Sequence, residues 1–379
     1  MKKRVAVLGA TGSIGKNVLD VLRNGRDRFE PVLFTANRNG DELSELKKEF
    51  PGVITALAHN VTAPDIDYQG KDGLLKAIAD AAPDITVNGI SGAAGLEPSA
   101  AVINAGSDLA LANKETVVMA GRIIFDMAAK KNVRVIPVDS EHTAILKLLE
   151  AHGRDNAREI IITASGGPFR KCSMEELAAV TPEAALAHPT WSMGPKITVD
   201  SATLANKGLE VIEAAGYFGF PADRIKVVIH PQSVVHSMIR LNDGAVYAQM
   251  SKPDMRLVIH NALYWPDTEF SPFGVLDFDS LSLNFEKCDF ERFPMLALAY
   301  KALIGGPALT TAYNAANEAA VEAFFEGRAG FLEIPRIVGY VLDKDFPKEP
   351  ETINEVLTLD KYARKLAKER ITGAGNADI

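Results

Sequence analysis

Apolar and polar positions alternate in blocks along the first third of the chain. Short, mostly apolar runs recur: RVAVLG (4–9), Pro31 to Ala36, GVITALA (52–58), DITVNGI (84–90), DLALAN (108–113) and VRVIPV (133–138). Runs without a regular polar face predict strands covered on both sides, as in a parallel sheet. Between them stand stretches at helical spacing. One runs to about Leu22, and the others are DELSELKKEF, KDGLLKAIADA, EPSAAVINAG and ETVVMAGRIIFDMAAKK. Strand and helix in turn predict a doubly wound α/β domain over residues 1–138.

After residue 138 the pattern changes. A short helix is expected from Thr143 to Ala151. Residues 158–169, 196–199, 224–230, 234–241 and 245–250 read as a second sheet of mixed direction. A loop at 185–195 and a helix at 201–215 interrupt it. Asp200 or Ser201 is placed to cap that helix and Gly216 to end it. From about Phe293 the strand signals fade, and MLALAYKALIGG, TTAYNAANEAAVEAFFEG, EIPRIVGYVLDK and TINEVLTLDKYARKLAKERI have helical periodicity. The expected organisation is therefore three domains. They are 1–138, a central α+β domain over 139–292, and a C-terminal helical bundle over 293–370 with a tail at 371–379.

Candidate chemistry gathers at strand ends. The first run leads into GATGSIG, Gly9 to Gly15. Strand, glycine turn and helix is the phosphate-binding opening of a Rossmann-like dinucleotide fold, where backbone N–H groups and a helix N-terminus face the pyrophosphate. The second run ends in TANRN. An NAD enzyme would carry an Asp or Glu there for the ribose 2′-hydroxyl. Arg38 stands in its place, between Asn37 and Asn39, and a cation suits the 2′-phosphate of NADP. A plain glycine turn and a solvated arginine are the alternatives.

Two polar clusters follow later strands: Asn113-Lys114-Glu115 and Asp139-Ser140-Glu141-His142. In an extended segment Asp139 and Glu141 point the same way and repel, and a hard cation such as Mg²⁺ or Mn²⁺ relieves that. Glu210 is a third candidate ligand. Lys207 and Asn206 precede it by three and four residues, so all three share one helix face. Gly208 inside that helix costs about 1 kcal/mol against alanine and implies close backbone approach. Ser165-Gly166-Gly167 is a candidate anion site of successive N–H groups and a hydroxyl. The alternatives are an exposed acidic strand end, an exposed ion pair and an ordinary turn.

Composition narrows the partners. The chain has 379 residues, 47% hydrophobic and 24% charged, with net charge −8. That is ordinary for a soluble protein of two or three domains. No Lys/Arg-rich run suggests nucleic acid, and no apolar run reaches the ~20 residues that span a bilayer. The only cysteines, Cys172 and Cys288, form no CxxC pair. They suggest a reducing, cytoplasmic setting and neither a zinc site nor a disulfide scaffold. MKKRVAVLGA reads as a first strand rather than a signal peptide.

Taken together, GATGSIG, NKE (113–115), PVDSEH (137–142), TASGGPF (163–169), HPTWSMGPKITVDSATLANKGLE (188–210) and HPQSVVHSM (230–238) carry a specific resemblance. Over nearly its whole length the chain resembles the 1-deoxy-D-xylulose 5-phosphate reductoisomerase family, with small departures at Ala10 and Asn37. The resemblance implies an NADPH- and metal-dependent rearrangement and reduction of a phosphorylated ketose on the non-mevalonate isoprenoid route. It implies that Thr11, Gly12, Ser13 and Ile14 hold the cofactor's pyrophosphate side and Asn37, Arg38 and Asn39 its 2′-phosphate region. Asn113, Glu115 and Gly194 would also face NADPH. Asp139, Glu141 and Glu210 would ligate Mg²⁺ or Mn²⁺. Lys114, Ser140 and Glu141 would contact the substrate's oxygen-bearing carbons, and Ser165, His188, Ser201, Asn206 and Lys207 its phosphate. Residues 185–195 would form a mobile flap closed by Trp191, with His236 and Met255 near the pocket, in a homodimer. Two rival classes stand beside it: a semialdehyde dehydrogenase working through a cysteine thioester, and a non-enzymatic NADP sensor.

Overall fold

Val5 to Leu8 are buried on both faces, and so are the strands that pair with them, because helices cover each side of the sheet they form. The structure is a computed structural model describing residues 1–61, 63, 65–187, 191, 193–346 and 349–373. The chain divides into two compact units. Unit 1 comprises Met1–Thr116, Arg122–Thr143 and Asp254–Val275, and unit 2 comprises Val117–Gly121, Ala144–Pro253 and Leu276–Ile379.

In chain order, unit 1 runs β1 (Lys3–Leu8), α1 (Ser13–Asn24), β2 (Phe29–Ala36), α2 (Gly40–Glu49), β3 (Ile54–Leu57), β4 (Tyr68–Gln69) and α3 (Gly70–Ala81). It continues with β5 (Ile85–Asn88), α4 (Leu96–Asn104), β6 (Asp108–Leu111), α5 (Lys114–Lys131), β7 (Val135–Pro137) and the start of α6 (Ser140–His152). The sheet order is β4-β3-β2-β1-β5-β6-β7, with every pairing parallel. The winding reverses between β1 and β5, so the crevice beyond their carboxyl ends is the expected ligand position in such a sheet. The Rossmann-like expectation therefore holds for all six expected strands, and the short edge strand β4 is an addition to them.

Unit 2 continues with β8 (Ala157–Ala164), α7 (Met174–Ala178), α8 (Pro182–Ala185), α9 (Pro195–Thr203), α10 (Ala205–Phe218), β9 (Ile225–Ile229), β10 (Val235–Leu241) and β11 (Val246–Met250). Helix α11 (Met255–Tyr264) belongs to unit 1. Then come α12 (Met295–Gly305), α13 (Pro307–Phe325), α14 (Glu333–Leu342) and α15 (Ile353–Ile371). The sheet order is β11-β10-β8-β9, with β8 and β9 parallel and the other pairs antiparallel. The mixed direction is as expected. Helix α13 is buried on nearly every side. Ala312, Ala315, Ala316, Ala319, Ala320 and Ala323 let α12, α14 and α15 pack close around it.

Three local expectations fail. Residues 196–199 are not a strand. Gly194 and Pro195 start α9 there, the proline's fixed φ suiting a first helical position, and this overrides the β-branched Ile197, Thr198 and Val199. The single 201–215 helix is two helices, broken at Leu204 with φ +62. Asp200 and Ser201 thus sit inside α9 rather than capping a helix. Gly216 lies within α10, which ends at Gly219 with φ +65.

Candidate active site

The turn that follows β1 is built by glycines whose places side chains would obstruct. Gly9 leaves β1 at φ +82. A Cβ on Gly15 would collide with the carbonyl oxygens of Gly9 and Ala10, so α1 packs directly on the turn. Gly12 begins α1 without any side-chain cap. The first-turn N–H groups are left for an outside acceptor, and an anion is the natural one. Thr11 and Ile14 are half-buried, while Gly12 and Ser13 are exposed. Asn37, Arg38 and Asn39 follow β2 and are exposed. Asn39 is already engaged: its Oδ1 accepts from Glu42 N at 3.2 Å and its Nδ2 donates to Glu42 Oε2 at 2.7 Å, capping α2.

Beyond β6, Asn113 caps α5, accepting from Thr116 N at 2.9 Å. Its Nδ2 donates to the Ile90 and Gly92 carbonyls (2.7 and 2.9 Å) and to Glu115 Oε2 (2.9 Å). A Cβ on Gly95 would lie 2.5 Å from Asn113 Cγ, so this glycine makes room for the amide. Asn113 and Glu115 are buried. They brace the β5–α4 loop whatever else they touch.

Beyond β7, Asp139 is a helix cap rather than part of an extended strand end, which corrects the alternation argument. Its Oδ1 accepts from the backbone N–H groups of Glu141 (3.1 Å) and His142 (3.0 Å) at the start of α6, and lies 2.7 Å from His142 Nδ1. Its Oδ2 pairs with Lys114 Nζ, with both side chains largely buried. Helix α6 also starts at Ser140, three residues earlier than expected, because that cap is available. Ser140 Oγ donates to Glu141 Oε2. The fully buried His142 is a partner of Asp139 that the sequence reading misses. Its i, i+3 spacing from Asp139 is the available signal.

In unit 2 the α9–α10 break places Ser201 on one side and Asn206 and Lys207 on the other. Glu210 accepts from Asn206 Nδ2 at 2.6 Å and pairs with Lys207 Nζ. The Lys207 and Glu210 side chains are 5% and 1% exposed, which excludes the reading of a solvated surface pair. Buried charge of this kind is expensive and marks functional sites. After β8, Gly166 and Gly167 take φ +83 and +68, and Gly167 N donates to Ser165 Oγ at 3.2 Å. A Cβ on Gly167 would lie 2.7 Å from the Ser201 carbonyl oxygen. The Ser165 loop therefore rests directly on the last turn of α9.

Gly208 proves to be the close approach its placement implied. A Cβ there would lie 2.7 Å from both Ala299 Cβ on α12 and the Tyr313 hydroxyl on α13. Gly208→Ala should cost about 1 kcal/mol net, overpacking outweighing the helix-propensity gain. It should also lower turnover by moving Lys207 and Glu210. Thermal melting and steady-state rates check this.

His188 lies outside the described residues. Trp191 is half-buried, its ring centroid 6.4 Å from that of His236, and His236 is buried. Gly194 is the N-cap of α9, and a Cβ placed on it would meet no atom within 4 Å. Met255 is the first residue of α11 and packs on the core of unit 1. His230 serves the fold: Nε2 accepts from Val234 N and Val235 N (3.2 and 3.1 Å) and Nδ1 faces the Asn284 carbonyl at 2.9 Å.

Comparison with known proteins bears on the same residues. Family models for 1-deoxy-D-xylulose 5-phosphate reductoisomerase match residues 5–121, and models of its C-terminal domains match 135–218 and 250–366. A Treponema denticola protein named 1-deoxy-D-xylulose 5-phosphate reductoisomerase is 46% identical over 374 residues, covering 98% of this chain and 97% of its own. The chain belongs to this family. A Geotalea uraniireducens member is 45% identical over 378 residues, covering 97% of this chain and 98% of its own. Among solved reductoisomerases, the Zymomonas mobilis enzyme in complex with NADPH has a TM-score of 0.90 at 41% identity, over 98% of this chain and 99% of that one. A reductoisomerase in complex with NADPH, fosmidomycin and magnesium has a TM-score of 0.91 at 36% identity, over 99% of this chain and 100% of that one.

Proposed function

We propose that this chain converts 1-deoxy-D-xylulose 5-phosphate to 2-C-methyl-D-erythritol 4-phosphate, using NADPH and a divalent metal. The observation that carries the reading is the whole-length family match. The buried Lys207–Glu210 pair fits it, since burying two charges is costly and such groups concentrate at functional sites. The uncapped α1 N-terminus and the collision-tight Gly15 suit a pyrophosphate. Exposed Arg38 suits a 2′-phosphate.

Asp139, Glu141 and Glu210 are our proposed metal ligands. They offer an all-carboxylate donor set, the chemistry that suits Mg²⁺ or Mn²⁺. When bound, the cation supplies Lewis-acid polarisation of the substrate's carbonyl and neighbouring hydroxyl oxygens. Lys114, held by Asp139, adds a buried positive charge beside those oxygens, and Ser140 a hydroxyl. Lys207, Ser165, Ser201 and Asn206 hold the phosphate, so binding energy at the unreactive end orients the reacting end. When bound, NADPH supplies the hydride that reduces the rearranged aldehyde. Trp191 excludes water from that aldehyde.

The thioester rival needs an acidified thiol. Burial instead pushes the Cys288 thiol up to about 11. The Cys172→Ala/Cys288→Ala double variant should keep wild-type kcat/KM within about twofold, since neither thiol has a role in the proposed chemistry. A loss of activity in the folded variant would revive the rival. Both cysteines are unpaired, consistent with a cytoplasmic enzyme. Among the described residues no helix is long and apolar enough to cross a membrane. We also propose a homodimer. Strand β11 is a sheet edge with Val246 and Tyr247 exposed, a ladder open to a second copy, and sedimentation velocity tests it.

The deciding assay follows NADPH absorbance with 1-deoxy-D-xylulose 5-phosphate, with EDTA and after Mn²⁺ is restored. Turnover that EDTA abolishes and metal restores supports reaction, cofactor and metal together. Turnover indifferent to EDTA would sink the carboxylate site, and no turnover with metal would sink the function.

A further inference from the structure

The phosphate-binding groups proposed above straddle a corner between two short helices. Ser201 lies in the last turn of α9, and Asn206 and Lys207 in the first turn of α10, with Leu204 at φ +62 between them. Such a corner has little stiffness of its own, so something must fix its angle. Locally, Thr203 Oγ1 accepts from Ala205 N at 3.3 Å. The stronger hold comes from behind. Asp200, next to Ser201, turns into the core with its side chain 1% exposed. Its Oδ1 accepts from Asn317 Nδ2 on α13 at 2.8 Å. Lys196 Nζ lies 2.8 Å from its Oδ2.

Asn317 is an unusual occupant of its place. It is fully buried on a helix about half of whose buried residues are alanine, and its own carbonyl oxygen, like that of Asn314, has no partner among the described residues. An apolar side chain would remove that penalty. The amide is useful to one thing in view, the Asp200 carboxylate. One turn earlier on the same helix, Tyr313 lies beneath Gly208 of α10. Thus α13 backs both arms of the corner, with Asn317 behind α9 and Tyr313 behind α10.

We infer that Asp200 and Asn317 are positioning residues for substrate phosphate: their buried hydrogen bond clasps the α9–α10 corner to α13 and sets the spacing of Ser201 from Asn206 and Lys207. The inference rests on the phosphate reading above. Neither residue touches substrate, and their effect passes through Ser201 and the α10 start.

The test uses the full-length enzyme with NADPH and metal. Four variants are compared: Asn317→Leu, Asp200→Asn, the exchanged pair Asp200→Asn/Asn317→Asp, and Lys207→Ala as the direct phosphate-contact reference. Read-outs are KM and kcat for the phosphorylated ketose, KM for NADPH, inhibition by inorganic phosphate, and the melting midpoint. Asn317→Leu should raise the ketose KM and weaken phosphate inhibition by about tenfold, with the NADPH KM unchanged within about twofold, since a small misplacement of a binding group is costly. The exchanged pair keeps one donor facing one acceptor and should recover most of that loss. If Asn317→Leu does not fold, a fifth variant, Asn317→Ala, which removes the amide donor to Asp200 without adding volume, gives the same reading. A lower melting midpoint with unchanged ketose KM and phosphate inhibition would make the pair merely structural and overturn the inference. So would an exchanged pair that melts like wild type without recovering KM. If Lys207→Ala raises KM and the Asn317 and Asp200 variants do not, this inference alone fails. If Lys207→Ala changes nothing, the phosphate reading fails and takes the inference with it.

Discussion

Glu210→Gln is expected to lower kcat by about a thousandfold while NADPH binding survives, a loss at the upper end for removing one preorganised electrostatic group. Two effects combine. The change removes one negative charge from the three-carboxylate set proposed for the metal. It also disturbs its neighbours, because Glu210 accepts from Asn206 and pairs with Lys207. A glutamine amide presents its NH₂ group to one of these two donors. The Lys207 ammonium is then left buried with a weaker partner, and removing one member of a buried pair is strongly unfavourable. The signature is a raised metal requirement together with a raised ketose KM. Steady-state kinetics over a Mn²⁺ titration, with NADPH binding followed by fluorescence, reads both. Metal-dependent turnover at the wild-type level would remove Glu210 from the ligand set.

Gly15→Ala should weaken NADPH at least ~100-fold and lower stability as well. The new methyl has nowhere to go. The atoms it would strike are the backbone carbonyls of Gly9 and Ala10, not the ends of flexible side chains. Either α1 lifts from the turn or the turn itself opens, and both move the first-turn N–H groups proposed to hold the pyrophosphate. Gly12→Ala makes the control: its Cβ would meet only the Gly9 carbonyl at 3.3 Å. It should bind NADPH several-fold more tightly than Gly15→Ala. Equal affinity in Gly15→Ala and wild type would place the pyrophosphate elsewhere.

Much of this is legible from sequence, and the limits have physical causes. Six strands of the seven-stranded sheet can be read because each buried run is punctuated by glycine or a polar cluster, whereas the two-residue, half-buried β4 leaves no such run. The i, i+3 and i, i+4 set around Glu210 can be read because helical spacing is rigid. The Leu204 break cannot: a leucine at positive φ is held by packing, and no local residue preference announces it. Nor can the Asp139 cap, since DSE reads equally well as strand end or helix start until the helix behind it is known. The Asp254–Val275 segment carries no clear assignment in the sequence pattern. Its helix α11 is tied to unit 1 by contacts with α1 and by Lys3 Nζ donating to the Leu263 carbonyl, over 260 residues of sequence.

The close approach of Gly167 to the Ser201 carbonyl has a consequence for how this site can change. Main chain meets main chain there, with no side chain interposed as padding. The frame of the proposed anion recess is therefore independent of which hydroxyls decorate it. Under the proposed phosphate role, Ser165 and Ser201 could be exchanged for other small polar residues to retune affinity for a different headgroup, while the recess keeps its dimensions. The two glycines at positive φ carry the shape, and the serines carry the taste. Selection, or an engineer, can vary the second without disturbing the first.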